Sequence, residues 1–259
     1  MRLPALPAVT HERLANPPLR AMLGQLQFPP ILRLQKGVDE IADFQDAIRE
    51  ALPGFGIEQQ IQIALSPDGD AKTSSNKAYR FTNDPPTWSA LLTQTAFTLE
   101  AVAGGRYSSY SEFSALFREI WPAAVEHLHP SRITQQGLRY VDHLEGDRTP
   151  AEWAEWVNPV LLGGLTTEQL GTDLEQAVSE LVYNLGDGRL VLRHGIARAG
   201  PTNAMGYLLD VDSIHTRPLP PGDLTEVMAR FDESHDAVYR LFRWSMTDQA
   251  METFRHAGE

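Results

Sequence analysis

The chain has 259 residues, of which 42% are hydrophobic and 22% are charged. This composition is typical of a globular protein with a substantial core, and it argues against disorder. The formal net charge of −12, from 34 acidic and 22 basic side chains, disfavours non-specific binding to nucleic acid or to an anionic membrane. The sequence contains no cysteine, which excludes disulfides, thiolate catalysis and cysteine-ligated zinc within it.

Hydropathy also bears on location. No stretch approaches the roughly 18 consecutive apolar residues of a membrane-spanning helix. The first twenty residues lack the unbroken apolar core of a signal peptide. We therefore predict a cytoplasmic protein that makes no membrane contact, and nothing in the sequence calls for a cofactor.

An extended arm is predicted at residues 1–18. It contains four prolines, Pro4, Pro7, Pro17 and Pro18. Because proline lacks an amide donor and fixes φ, this segment is not expected to form a helix or a sheet strand. The arm is expected to wrap around the body of the protein or around a partner.

The N-terminal half, residues 19–145, is predicted to mix strands with two helices. The helices are indicated by apolar residues at helical spacing in 38–55 and again in 110–129, where Pro122 is expected to kink or split the second helix. Extended segments are predicted by alternation and by β-favouring residues. In chain order they lie at 19–34, 57–66, 78–83, 87–102 and 132–145.

A connecting segment is predicted at residues 146–172, where loop-forming residues dominate. Its most notable feature is a pair of tryptophans, Trp153 and Trp156, three residues apart. Such a pair could line a binding site. We favour the alternative, in which both rings seal one helical turn against the body of the protein.

The C-terminal half, residues 173–259, is predicted to contain a hairpin, a further strand and a long helix. "GDG" at 186–188 separates two apolar runs and is typical of a hairpin turn. The helix over 221–244 is predicted to begin after Asp223, with Glu226 completing a capping box. Together the elements predict an α+β fold, with a largely antiparallel mixed sheet packed against a few helices and the two halves forming one compact unit.

Three short motifs resemble those of a sporadically distributed family of bacterial and phage proteins of about this length. The family motifs are R-x-G-L-R-Y followed by Asn or Asp, then L-D-x-D, then F-x-x-x-[IM]-T. Here they correspond to Gly137–Tyr140 with Asp142, to Leu209–Asp212 and to Phe242–Thr247. Gln135–Gln136 replaces the arginine usually found ahead of the glycine. The resemblance, from about residue 18 to 247, implies the fold outline but no catalytic residue set.

The stretch "YLLDVDSIHT" at 207–216 carries the first candidate site. On a strand, residues two apart share a face, so Asp210 and Asp212 could present both carboxylates to Mg²⁺ or Mn²⁺, with His215 at the strand end. The alternative is that Leu209 and Val211 face the core while the aspartates face water. We favour this second interpretation.

His235 is the second candidate. It lies on the apolar face of the C-terminal helix, four residues after Phe231 and three before Val238. If it met an aspartate, the pair could act as a general base. The alternative that we favour is a hydrogen-bonded core histidine.

Three functions are consistent with these patterns. The first is a non-enzymatic binding or assembly protein, acting on a protein partner or by homo-oligomerisation; the resemblance suggests an accessory setting such as phage–host conflict or defence. The second is a small-molecule binder with a pocket lined by Tyr140, Trp88 or Phe97. The third is a metal-dependent hydrolase or nuclease using Asp210 and Asp212 with a histidine. We rank them in that order.

Overall fold

The computed structural model describes residues 6–65, 71–101, 109–146, 148–163, 174–199 and 203–256. The strands are β1 Leu19–Gln27, β2 Gly54–Leu65, β3 Ala71–Thr82, β4 Trp88–Leu92, β5 Ala96–Ala101, β6 Gln135–Glu145, β7 Ala177–Asn184, β8 Gly188–Ala199 and β9 Ala204–His215. The α-helices are α1 Ala42–Ile48, α2 Tyr110–Leu128, α3 Pro150–Trp153, α4 Pro159–Leu162, α5 Leu224–Ser245 and α6 Asp248–Arg255. The predicted α+β class, the antiparallel pairing and the long C-terminal helix α5 are confirmed.

The chain divides into two compact units, each assembled from separate stretches of sequence. Unit one comprises Met1–Met22, Gly137–His215 and Phe231–Glu259. Unit two comprises Leu23–Gln136 and Thr216–Arg230. The division therefore follows contacts rather than chain order, since β1, β6 and α5 each begin in one unit and end in the other.

Unit one contains a sheet in the order β6-β9-β8-β7. The β8–β9 hairpin is antiparallel, and its register runs from Gly188↔His215 to Ala199↔Ala204. One face of β9 packs on α5, where the Ser234 hydroxyl contacts the Ser213 hydroxyl at 3.0 Å and His215 Nε2 at 3.1 Å. Tyr207, Leu209 and Val211 lie on this same face and are completely buried. The strand predicted at 207–216 therefore exists and buries the residues that its alternation assigns to the core.

Unit two contains the strand order β2-β3-β4-β5-β1. Helices α1 and α2 contribute aromatic rings to its core. Phe44 contacts the rings of Phe81 and Phe97, with centroids 5.4 and 6.2 Å away, and Phe97 also contacts Phe117 and Trp121 at 6.2 and 5.6 Å. These five side chains are at most 1% exposed.

Three local predictions in unit two need correction. The segment predicted as extended at 19–34 is a strand only to Gln27, and Leu32–Gln35 forms a 3-10 helix. The segment predicted as one strand at 87–102 is two strands, β4 and β5, because Thr93 forms a turn in which its Oγ1 accepts from the Ala96 amide at 3.0 Å. Helix α2 continues through Pro122 as a single element, so the alternative in which Pro122 splits the helix is wrong. Its N-cap is Ser109, whose hydroxyl accepts from the Glu112 amide at 3.4 Å.

The tryptophan pair packs within unit one. Thr149 and Glu152 form a capping box at the start of α3, which ends at Trp153. The Trp153 ring is fully buried, 5.8 Å from the ring of Tyr207, while Trp156 lies 6.4 Å from the ring of Phe254. The rings therefore pack on the body of the unit, as we favoured from their spacing.

The C-terminal helix begins where its sequence predicts. The Asp223 carboxylate accepts from the Glu226 amide at 3.1 Å, so Asp223 caps α5. The predicted capping box does not form, because the Asp223 amide donates to the Pro220 carbonyl at 3.2 Å and the Glu226 carboxylate accepts from Arg230 Nε at 3.1 Å. Val227, Met228, Phe231, Val238 and Phe242 form its buried face. No helix in the described part of the chain is long and apolar enough to cross a membrane.

Candidate functional site: the outer edge of β7

Strand β7 presents an unusual amount of apolar surface. Its sequence is AVSELVYN, and every residue after Ala177 is exposed. The exposed fractions are 41% for Val178, 40% for Leu181, 59% for Val182 and 36% for Tyr183. Because successive side chains on a strand point to opposite faces, apolar surface is exposed on both faces of β7.

The hairpin turn at Gly186 and the glycine at position 195 hold β7 against β8. The Leu185 amide donates to the Gly188 carbonyl at 2.9 Å, and Gly186 adopts a φ of 81° in the turn. A Cβ added at Gly195, which has a φ of 144°, would lie only 1.9 Å from the Ala177 carbonyl oxygen. Glycine at position 195 is therefore needed for the two strands to approach each other.

The register identifies the backbone groups on the outer edge. Pairing is unbroken from Ala177↔Ile196 to Asn184↔Arg189, and Leu185 with Gly188 continues it as a hydrogen-bonded pair. Hydrogen-bonded and non-hydrogen-bonded pairs alternate in an antiparallel ladder. The odd-numbered residues of β7 therefore bond to β8, and the even-numbered residues point their N–H and C=O groups outward. These are Val178, Glu180, Val182 and Asn184.

This edge lacks the features that usually protect an edge strand. β7 contains no proline, lysine or arginine, and its ladder with β8 has no bulge. Its single charge, Glu180, is engaged by Arg193 Nε at 2.6 Å. Among the described residues, β7 pairs with β8 alone. The strand can therefore accept another extended segment along its outer edge.

Asp210 belongs to a charge network on the face of unit one that also carries Glu180. Arg139 Nε donates to Asp210 Oδ1 at 2.8 Å and Arg139 Nη2 donates to Oδ2 at 2.7 Å, while Arg193 Nη1 lies 3.4 Å from Oδ2. The Asp210 side chain is only 4% exposed. Asp210 is thus enclosed by two arginines rather than facing water, and the hydrogen bond with Asp210 raises the pKa of Arg139.

Asp212 shares the face of Asp210, as the two-residue spacing predicts. Burial raises the pKa of Asp212, whereas the nearby Arg139 lowers it. His215 lies on the opposite face of β9, where it contacts Ser234. Strand alternation therefore separates His215 from both carboxylates. Within the described ranges, no group of three or more acidic or histidine side chains is close enough to hold a metal ion.

His235 meets a tyrosine and a second histidine. The Tyr140 hydroxyl lies 3.1 Å from His235 Nδ1, and His11 Nδ1 lies 3.2 Å from His235 Nε2. His11 Nε2 lies 3.3 Å from Asp236 Oδ1. His11 was not among the predicted site residues, because a histidine in a proline-containing arm gives no sequence signal of its distant partners.

A buried carboxyl that was not predicted as a site residue belongs to one of the sequence motifs. Asp142, on β6, is 5% exposed. Burial, with a further contribution from the Asp210 carboxylate, raises its pKa to about 8. Asp142 therefore favours its protonated form in the native protein at neutral pH.

The predicted small-molecule residues are dispersed. Trp88 and Phe97 are buried in the aromatic core of unit two, where they contact Phe113 and Phe117 respectively. Tyr140 is 8% exposed in unit one and bonds to His235. A cavity of about 440 Å³ in unit one is lined by Glu145, Gly146, Arg198, Ala204 and Met205, and includes none of the three.

Comparisons with known proteins add little to this geometry. No family model matches the chain, and no curated protein matches it. One solved structure that is similar over most of its length is the S. pombe Pct1 RNA triphosphatase in complex with the Spt5 CTD. The identity is 7%, the match covers 93% of this chain and 87% of that chain, and the TM-score is 0.12. A score this low carries no argument about fold or function.

Proposed function

We propose that the chain is a non-enzymatic binding or assembly protein that pairs with an extended protein segment along the outer edge of β7. The observation that carries this proposal is the combination of outward backbone groups with exposed apolar side chains at Val178, Leu181, Val182 and Tyr183. In strand addition, main-chain hydrogen bonds supply affinity and alternate side chains supply specificity. The edge of β7 offers both.

The chemistry of the other candidate residues favours binding over catalysis. Both carboxylate oxygens of Asp210 accept from Arg139, which leaves a metal ion to compete with a bidentate ion pair. His235 has a hydrogen-bonding partner at each ring nitrogen. These contacts support a structural role for the residues first considered as catalytic. The resemblance to bacterial and phage proteins suggests an accessory setting, such as defence, for the binding activity.

The proposal is tested with a labelled peptide of the sequence AVSELVYN, extended by a charged tag for solubility, titrated into the full chain. We expect saturable binding by fluorescence anisotropy. Val182→Pro should weaken it at least about tenfold, because the Val182 N–H points outward and proline removes that donor from the edge without disturbing the ladder with β8. Leu32→Pro is the matched control, since Leu32 is 70% exposed at the first position of a 3-10 helix in unit two, where proline is tolerated, and it should leave binding unchanged.

Two results would count against an accepting edge. One is the absence of binding at any soluble peptide concentration. The other is equal binding by the Val182→Pro and Leu32→Pro variants. Thermal unfolding of both variants shows whether either substitution acts by disturbing the fold instead.

A further inference from the structure

We infer that the segment that pairs with β7 is β7 of a second copy of this chain, in one antiparallel register centred on Leu181. This inference rests on the proposed function and names its partner. It follows from the positions of the outward backbone groups and from the placement of the single charge on the strand.

Hydrogen-bond geometry restricts the registers available to a two-fold pair. Residues that exchange hydrogen bonds lie directly opposite each other in an antiparallel ladder. The outward residues of β7 are even-numbered, so an even-numbered residue of one copy must face an even-numbered residue of the other. Three registers that keep most of the strand paired meet this condition, and their two-fold axes pass through Glu180, Leu181 or Val182.

Charge and pairing length select among the three. An axis at Glu180 places two carboxylates directly opposite each other, which is unfavourable. An axis at Val182 leaves Val178 opposite Gly186, which is in the hairpin turn. An axis at Leu181 pairs all four outward residues, with Val178 opposite Asn184 and Glu180 opposite Val182.

The register centred on Leu181 also matches the side chains. The two Leu181 side chains would face each other as a non-hydrogen-bonded pair, in which Cα atoms are about 4.5 Å apart and side chains approach closely. Ser179 would face Tyr183. Each Glu180 would keep its ion pair with Arg193 of its own chain, so no unpaired charge would enter the new ladder.

The absence of cysteine allows a direct test of the register. Single variants Glu180→Cys, Leu181→Cys and Val182→Cys are each oxidised mildly at equal concentration, and disulfide-linked dimer is measured by non-reducing electrophoresis. A disulfide requires Cα atoms within about 7 Å. In the proposed register only the 181 pair meets this limit, because the 180 and 182 positions each lie roughly 8 Å from their own symmetry mates.

Leu181→Cys should therefore form dimer at least about tenfold faster than the other two variants. Leu32→Cys, at an exposed position in unit two, measures the rate of random collisions, and Leu181→Cys combined with Val182→Pro should fall to that rate. Faster cross-linking at 180 or 182 would overturn the register. If all three cysteine variants form disulfides only at the random-collision rate while peptide binding is intact, a second copy is not the partner. The proposal that β7 pairs with an extended segment would still hold. Loss of peptide binding as well would remove both proposals.

Discussion

The Tyr140 hydroxyl and His235 Nδ1 form a 3.1 Å hydrogen bond that links β6 to α5. All groups in this network are satisfied if the hydroxyl donates to His235 Nδ1, His235 Nε2–H donates to His11 Nδ1, and His11 Nε2–H donates to Asp236. His235 is therefore a hydrogen-bonded histidine, as its position on the apolar face of α5 indicated. Its chain of hydrogen bonds also includes the N-terminal arm, which the sequence did not reveal.

The first prediction concerns the acid sensitivity of His235. Burial lowers its pKa to about 4, with a further contribution from His11 and an opposing one from Asp236. Since the unfolded chain binds this proton near pH 6.5, the native state binds fewer protons between about pH 6.5 and 4. Stability should therefore fall as pH falls through this window. Protonation of His235 Nδ1 also removes the acceptor for the Tyr140 hydroxyl.

A variant separates this contribution from those of other groups. His143 and His194 also have pKa values lowered by burial, so the wild-type protein should lose stability for several reasons. His235→Gln should lose less between pH 7 and 4.5, as measured by urea midpoints. Tyr140→Phe retains the imidazole and should keep most of the wild-type pH dependence. Parallel pH profiles for His235→Gln and wild type would contradict the assignment.

The second prediction concerns the N-terminal arm. The His11 ring packs against the ring of Tyr239 with centroids 4.3 Å apart, the Glu12 amide donates to the Tyr239 hydroxyl at 3.1 Å, and Arg255 binds the Glu12 carboxylate at 2.8 and 3.0 Å. Removing the imidazole should loosen the arm at a cost of about 0.5–1.5 kcal/mol per lost hydrogen bond. We expect His11→Ala to increase tryptic cleavage after Arg13 severalfold.

His127→Ala provides a control for that experiment. His127 lies on α2 of unit two, and its replacement should leave cleavage at Arg13 unchanged. If both variants are cleaved at the wild-type rate, His11 does not hold the arm in place. Mass spectrometry of the released peptide identifies the cleavage site.

Local patterns predicted much of this fold. Alternation located β9 and assigned Leu209 and Val211 to the core, and the spacing of apolar residues located α5. The pairing of distant residues could not be read in this way. Nothing in the sequence indicates that Arg139 and Arg193 enclose Asp210, or that His11 reaches His235, because both arrangements depend on tertiary topology.

The edge position of β7 shows the same limit. Val178, Leu181 and Val182 have the composition of a buried strand, and a hairpin containing Leu181 and Val182 was predicted. The open backbone edge of β7 results from the order of strands in the sheet, since β7 has one neighbour among the described strands. Strand order depends on non-local pairing, which the composition of a single strand does not encode.

The third prediction concerns the ion pair that encloses Asp210. Replacing Arg139 leaves a carboxylate that is 4% exposed with Arg193, at 3.4 Å, as its nearest remaining cation. Because Arg139 itself is 44% exposed, the cost should lie below that of breaking a fully buried pair, at about 1–3 kcal/mol. Urea unfolding of Arg139→Ala measures it.

A double-mutant cycle with Asp210→Asn tests the coupling between these two residues. We expect the double variant to be more stable than the sum of the single effects implies, by at least about 0.5 kcal/mol. Arg49→Ala removes an exposed ion pair with Asp46 and should change stability by less than about 0.5 kcal/mol. Additive effects of Arg139→Ala and Asp210→Asn would show that the contact contributes nothing.

The fourth prediction concerns divalent ions. The guanidinium of Arg139 occupies both oxygens of Asp210, so Mg²⁺ or Mn²⁺ would have to displace a bidentate partner to bind there. We expect neither ion to raise the melting temperature of the wild-type chain. A rise that disappears in Asp212→Ala would instead support the metal-dependent hydrolase hypothesis.

The fifth prediction concerns Asp142. Its pKa, raised to about 8 by burial and by Asp210, exceeds the value near 4 expected in the unfolded chain. The native state therefore binds more protons than the unfolded state between about pH 4 and 8, and this group makes stability fall as pH rises through that window.

Asp142→Asn, a neutral side chain of the same shape, should stabilise the protein at pH 8 by on the order of a few kcal/mol and have little effect near pH 4. Asp43→Asn on the exposed first turn of α1 is the matched control, and its small effect should not change between pH 5 and 8. Urea midpoints at pH 4, 6 and 8 provide the measurement, and a stability difference between Asp142→Asn and wild type that stays constant over this range would show that Asp142 titrates alike in the folded and unfolded chains.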